Sequence, residues 1–359
     1  MLISRRFFLG SAAGVAGAVG AVGAMGGLGT RALARASRPR PSSGLLWFTF
    51  TKLADGVFGS FGEGGNSLVI ETKDGCVLVD SKNTGFGARL GVEVSLATGL
   101  PVRKLINTHH HYDHTGGNSA FVGVTDIETF AHPKAIARIA GNVERYKNAP
   151  AAAMKQLEKS DHDLAKDILE NVKTVQASLD AAKTDAAIAK LFTPATPVDP
   201  TAGGKKGPID YTWGGVNISI HHIGAGHTDN DIFIHLPKLN VIHTGDLLFN
   251  KVWPYMDRAG GCETLGWIAS LKAILALCDA KTVVLPGHGE ATDKAGVQRQ
   301  IDFFSDMRAV ATKAMSLNTT REDFLKLNPE AYKDYAPGIR QITLGGLWDE
   351  AKGVPAAKK

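Results

Sequence analysis

Between Leu46 and Asp80 the apolar residues fall in short runs or alternate with polar ones, and glycines separate the runs. Leu46–Leu53, Val57–Phe61, Ser67–Glu71 and Cys76–Asp80 therefore read as strands of an antiparallel meander. Lys73-Asp74-Gly75 supplies a turn, and Phe61–Gly65 reads as a mobile hairpin tip. Ala88–Thr98 has helical spacing, and Val102–Ile106 is a short strand-like run that leads into a polar loop. A helix is expected to begin at Asn118–Phe121 and a strand at Asp126–Ala131. Because strand and helix signals alternate, the sheet is expected to carry helices on its face.

Residues 133–192 follow a different pattern, rich in Ala, Lys, Asp and Glu, with Leu164, Ile168, Val172, Val175 and Leu179 forming one apolar stripe. This segment reads as a helical insertion, either a lid or an arm for a dimer, and Thr193–Pro208 reads as a linker. The β pattern resumes at Tyr211–Trp213, Val216–His221, Ile232–Leu236 and Val241–His243. A helix carrying Leu271, Ile274, Leu275 and Cys278 precedes a last buried strand at Thr282–Leu285. Val297–Leu317 and Arg321–Tyr335 are helical in pattern, Thr320 capping the second, so 301–359 forms a C-terminal helical extension.

Composition adds a class and an address. Of 359 residues, 44% are apolar and 21% charged, enough for a sizeable core without disulfide support. Ser4-Arg5-Arg6-Phe7-Phe8-Leu9 precedes an uncharged Gly/Ala-rich run and small-x-small cleavage sites at Ala32–Ala36, which resembles a twin-arginine signal over residues 1–36. The run is too weakly apolar to be favoured as a membrane anchor, so a periplasmic or secreted product is expected, with 37–44 as a loose mature N-terminus. Removing 1–36 leaves 36 basic residues against 35 acidic ones, so the formal charge of +5 falls to +1. No nucleic-acid partner is expected on that balance. Cys76, Cys262 and Cys278 show no CxxC spacing, and Cys76 and Cys278 read as small buried hydrophobes.

The densest chemistry lies at Thr108-His109-His110-His111-Tyr112-Asp113-His114, an H-x-H-x-D-H run at the end of a strand. Neutral imidazole and carboxylate are the donors that zinc and related divalent ions prefer. Gly226-His227-Thr228, Thr244-Gly245-Asp246 and Pro286-Gly287-His288-Gly289 also follow strand-like runs. Loops of this kind, meeting at one edge of a sandwich, would gather seven ligands.

Taken together these four motifs resemble the metallo-β-lactamase-fold hydrolases, over residues 45–300 apart from the insertion. The resemblance implies an α/β fold, an αββα sandwich. It places His109, His111 and His227 on a first metal and Asp113, His114 and His288 on a second, with Asp246 bridging. Two zinc ions suit that set best, with iron or manganese as alternatives. Such a pair holds and ionises a water that attacks the substrate, while Asp113 is a candidate to carry a proton to the leaving group. His222 and His243 are the other histidines best placed to orient a ligand; His110, His132, His221 and His235 read as rim or core residues, and Asp80 as a structural hydrogen-bonding residue. Asn250, Trp253 and Tyr255 are candidates for the substrate rim, although the two aromatics would equally serve to pack their loop.

Departures from family patterns narrow the activity. The best-known lactamases carry cysteine in place of Asp246 and lysine in place of Phe249; here only Lys251 offers a substitute cation. A bridging aspartate is the pattern of the fold's glyoxalase II-type thioesterases, lactonases and phosphodiesterases. Di-iron oxygen-reducing members have Glu where this chain has His111. An exported hydrolase of a small ester, thioester or lactone is the leading expectation. β-Lactam hydrolysis, an iron-dependent persulfide dioxygenase and a non-catalytic metal-binding protein are the alternatives.

Overall fold

The computed structural model describes residues 46–205 and 207–356; the signal and the loose N-terminal stretch 37–44 read from the sequence lie outside the described residues. Seven strands form the first sheet, β1 (Thr49–Ala54), β2 (Val57–Phe61), β3 (Ser67–Thr72), β4 (Gly75–Val79), β5 (Val102–Asn107), β6 (Glu128–Ala131) and β7 (Thr196–Pro197), in that order across it. β1 to β4 pair antiparallel, and β4 to β7 pair parallel. Helix α1 (Phe86–Thr98) connects β4 to β5, and the single turn α2 (Tyr112–Thr115) follows β5. Between β6 and β7 lies the insertion, built of α3 (Pro133–Gly141), α4 (Val143–Leu157), α5 (Ala165–Ala181) and α6 (Asp185–Phe192).

The second sheet has five strands, β8 (Ile209–Trp213), β9 (Val216–His221), β10 (Phe233–Leu236), β11 (Val241–His243) and β12 (Val283–Leu285), antiparallel except for the parallel β11–β12 pair. α7 (Thr264–Leu277), α8 (Lys294–Ser316), α9 (Arg321–Leu325) and α10 (Arg340–Ala351) complete the chain.

Side-chain alternation explains the layering, because successive strand residues face opposite sides of a sheet. Leu68, Ile70, Val77, Val79 and Ile106 face the second sheet and meet Ile218, Ile220, Ile234 and Leu285 there. Val69, Leu78 and Leu105 face the other way, onto Phe86, Leu90 and Val94 of α1 and Ile168 and Val172 of α5. Behind the second sheet, Phe233, Ile242 and Val284 pack against Trp267, Leu271, Phe304 and Leu347. Two helical layers thus enclose two sheets. The insertion's stripe is buried on the chain's own core: Ile168 and Val172 are inaccessible to solvent, and Leu179 packs with α3 and α6.

Some boundaries differ from the sequence pattern. Asn118–Ala120 is a single 3-10 turn, because Asn118 is drawn into buried hydrogen bonds with Asn107 and the Phe192 carbonyl. The Arg321–Tyr335 helix splits, α9 ending at Leu325 and a short turn covering Glu330–Tyr332; Thr320 caps α9 by accepting from the Asp323 amide at 3.1 Å. Among the described residues no helix is long and apolar enough to cross a membrane.

Candidate metal centre

The loops after β5, β9, β11 and β12 carry the histidines and aspartates singled out above. The turn α2 presents Asp113 and His114 one step after His111. Around Asp246 the atoms converge. Its Oδ2 lies 3.7 Å from His109 Nε2, 3.4 Å from His227 Nε2 and 3.4 Å from His288 Nε2, and its Oδ1 lies 3.1 Å from His114 Nε2. Asp113 Oδ2 is 3.1 Å from His288 Nε2 and 3.5 Å from His114 Nε2. His111 Nδ1 is 2.9 Å from His227 Nε2. Two compact donor sets result, His109, His111, His227 and Asp246 in one, and Asp113, His114 and His288 in the other, with Asp246 between them.

The far nitrogen of each ring decides what the near one can do. His227 Nδ1 donates to the Tyr255 carbonyl at 2.8 Å, His114 Nδ1 to Asp80 at 2.8 Å, and His111 Nε2 to Asp257 at 2.9 Å. Thr108 Oγ1 donates to Asp80 at 2.7 Å and accepts from His109 Nδ1 at 3.0 Å. With a metal bound, each of these four rings would keep its single proton outward and point a lone pair inward. In the bare cluster burial alone would lower His114, but Asp246 and Asp113 beside it raise it well above its usual range, so it carries the positive charge a metal would replace. The facing nitrogens of His111 and His227 are then two acceptors at 2.9 Å, an arrangement that calls for a cation between them. His109 Nε2, His114 Nε2 and Asp246 Oδ1 are buried without a hydrogen-bond partner of good geometry. Unsatisfied buried groups of this kind cost about 1–3 kcal/mol each. Orphaned lone pairs, imidazole and carboxylate ligands and two adjacent sets fit a pair of divalent metal ions.

Electrostatics follow the same logic. Burial holds the His109 imidazole well below its usual range and brings His227 down to about 3, so both are neutral ligands. Burial alone would raise the Asp246 carboxyl, but His288 and His114 opposite hold it well below the usual range. Burial would also raise the Asp80 and Asp257 carboxyls, but the imidazoles they hold bring both down, His114 for Asp80 and His111 for Asp257.

Lys82 is a buried cation beneath this site. Its Nζ donates to the Ser60 and Gly65 carbonyls at 2.7 and 2.8 Å, and burial brings it from 10.5 to about 7, against Asp80, Asp113 and Glu63. The unfolded chain therefore holds this proton through a pH window in which the folded one has lost it, and the folded state gains as pH rises from about 7 to 10.5. Denaturation of wild type and Lys82→Met from pH 7 to 9.5 should show the wild type gaining on the variant as pH rises. A constant difference would contradict this origin.

The Phe61–Gly65 tip is docked, in contrast to the expected mobile hairpin. Gly65 N–H donates to the Asp113 carbonyl at 3.0 Å, and a Cβ on Gly65 would lie 2.0 Å from the His114 ring. Gly65→Ala is thus expected to displace His114 and to lower occupancy of the second donor set while sparing the first. Metal analysis of the purified variant checks this; two full equivalents would refute it.

The remaining expectations divide. A cavity of about 950 Å³ opens on the site, with Asp113, His288, Phe249 and Tyr255 in its wall. Tyr255 faces substrate space as expected, its ring edge-on to His111 at 5.4 Å. Trp253 does not: it is inaccessible to solvent and packs on Phe303, so its rim assignment is corrected to core. Asn250 turns away too, donating to the Glu290 carbonyl and accepting from Arg299. Lys251 is exposed and lies outside the cavity wall, where Phe249 instead stacks on His288 at 5.1 Å. His243 sits 3.8 Å from Asp80, whereas His222 lies tilted against His132 at 4.5 Å and bonds the Asp231 carbonyl through Nδ1. His110 lines the cavity beside Asp257.

Sequence reasoning missed Asp257, Thr108, Asn66 and Asp231. Asn66 ties down the His288 loop through the Pro286 and Gly289 carbonyls, and Asp231 clamps Thr228 beside His227. No local motif marks them; only the fold brings them in.

Comparison with known proteins agrees with this geometry. Residues 61–288 match the family model described as the metallo-beta-lactamase superfamily. A hydroxyacylglutathione hydrolase of Polaromonas sp. is 47% identical over 53 residues, 14% of this chain and 20% of the relative. An uncharacterized protein of Mycobacterium tuberculosis is 32% identical over 96 residues, 25% of this chain and 42% of the relative. The chain thus spans well under half the length of these curated relatives. Among solved structures, a metallo-beta-lactamase from Pontibacter korlensis superposes with TM-score 0.52 at 16% identity, over 72% of this chain and 99% of the other. The inverting sec-alkylsulfatase Pisa1 from Pseudomonas sp. superposes with TM-score 0.56 at 19% identity, over 84% of this chain and 50% of the other. These likenesses show the fold; the family match covers more than half of the sequence, and the chain belongs to the metallo-beta-lactamase superfamily of metal-dependent hydrolases.

Proposed function

We propose that this chain is an exported, dinuclear zinc hydrolase that cleaves a small ester, thioester, lactone or related bond. The observation that carries the reading is the convergence of seven donor residues, Asp246 among them, with the outward nitrogens of His109, His111, His114 and His227 already committed to partners. When bound, a zinc pair supplies Lewis acidity and a water ionised near neutral pH.

The protein's own part is positioning and proton transfer. His109, His114 and His227 are fully buried, whereas Asp113 and His288 keep side-chain exposures of 33% and 27% toward the cavity. Substrate therefore approaches from the Asp113 side. Asp113, held by His288 and His114, is placed to take a proton and pass it to the leaving group. Phe249, stacked on His288, gives that wall an apolar surface. A thioester is favoured within the class by the short hydroxyacylglutathione hydrolase match. β-Lactams are disfavoured because Phe249 and the outward Lys251 leave no cation at the expected place. The twin-arginine signal, which resembles those that export folded cargo, supports export.

The test is turnover of the mature protein, loaded separately with zinc, iron and manganese. Substrates are thioesters, esters, lactones, phosphodiesters, a chromogenic β-lactam and a persulfide with oxygen uptake followed. Zinc-dependent acyl hydrolysis is expected. Oxygen uptake with the iron form alone would replace this reading.

A further inference from the structure

Three cations stand in the cavity wall, and their pairing differs. Arg138 is neutralised by Asp229, which takes its Nε at 2.9 Å and its Nη2 at 2.8 Å. Lys134 reaches the same Asp229 only at 3.9 Å and keeps 59% side-chain exposure. Arg145, on the exposed side of α4, makes no ion pair among the described residues. Its guanidinium lies 4.7 Å over the Tyr112 ring, the residue next to Asp113. That ring is a fixed platform, because its hydroxyl accepts the Thr84 amide at 3.1 Å and its face packs near Tyr146.

Formal charge points the same way. Lys134, Arg138 and Arg145 face Asp113, Asp229, Asp246 and Asp257 across the cavity, a balance of −1. Two divalent ions would turn it to +3, a field that draws anions. On the proposed dinuclear reading, we infer that the substrate carries an oxyanion group, carboxylate or phosphate, remote from the scissile bond and received by Arg145 with Lys134 beside it. A guanidinium held over a ring offers a fork of N–H donors suited to such a group, and its stem loses little freedom on binding. Selectivity for anionic acyl compounds follows, set by the insertion that contributes Arg145.

The test is binding, measured by calorimetry on the zinc-loaded mature protein. Probes are alkanethiols of equal length that end in carboxylate, phosphate or hydroxyl, whose sulfur can meet the metals. Wild type should prefer at least one anionic thiol over the hydroxyl thiol by about tenfold or more. Arg145→Ala should bring the preference below about threefold, and Arg145→Lys should keep part of it. The larger of the two anionic preferences identifies the group. No preference in wild type, or one that survives Arg145→Ala, overturns the proposal. If no thiol binds at all, the dinuclear reading itself fails and takes this inference with it.

Discussion

Asp246→Ala is expected to empty both donor sets together and to abolish turnover. Each other donor belongs to one set, whereas the two oxygens of Asp246 reach His109 and His227 of the first set and His114 and His288 of the second. Removing even an outer partner of a metal ligand weakens affinity by about 10–100-fold, so loss of the bridge should exceed about 100-fold for the pair. Plasma-emission analysis of the dialysed variant should find well under one equivalent, and kcat/KM should fall by the same order or more. One retained equivalent would show that the sets are independent.

The second large effect is expected at Asp80, which the sequence places at a strand's end and marks as a structural hydrogen-bonding residue. Fully buried, it accepts from the Thr108 amide at 2.8 Å, the Thr108 hydroxyl at 2.7 Å and His114 Nδ1 at 2.8 Å. Its backbone, at φ 63°, is left-handed, and Lys82 two residues on repeats this at φ 71°. Conformations so uncommon in non-glycine residues cost of order 1–3 kcal/mol and persist where the surroundings impose them. Breaking a buried charged pair by removing one partner typically costs about 3–5 kcal/mol. Asp80→Ala should therefore lose stability on that scale. Asp80→Asn separates folding from ligation. Its amide oxygen can keep the bond from the Thr108 amide and its NH₂ can donate to the Thr108 hydroxyl in place of accepting from it, but the same NH₂ turned to His114 forces the ring proton onto Nε2, where it blocks the metal-facing lone pair. The asparagine variant should stay folded by circular dichroism yet bind its second metal about 10–100-fold more weakly. Full affinity in that variant would mean that Asp80 plays no part in ligation.

Local chemistry made the candidate donor residues legible. A dense His/Asp run and three glycine-flanked His or Asp residues, each after a strand signal, can be read without a fold. Strand positions were legible for a similar reason: with one face on the other sheet and one on helices, residues such as Leu68, Val69 and Ile70 are all apolar. What could not be read is what depends on distant contacts. Asp257 lies 146 residues from His111, and nothing in its neighbourhood hints that it fixes that ring. Trp253 has the look of a substrate-facing aromatic until α8 places Phe303 against it. α10 lacked a helical signature because Gly345 and Gly346 interrupt its apolar stripe; a Cβ at Gly346 would come within 2.8 Å of Met256, so packing, rather than propensity, selects glycine there. The polar insertion read as a lid or an arm for a dimer; its apolar residues seat it on α1 and put Arg145 in the cavity wall, a contact its sequence does not announce.

The central claim is that Asp246 joins two metal positions. Zinc K-edge absorption on the mature protein, purified without chelator and paired with a count of bound metal, addresses it directly. Two equivalents per chain, nitrogen- and oxygen-ligated, with a metal–metal vector of about 3.5–4 Å, are expected. A single equivalent with no such vector would contradict the account.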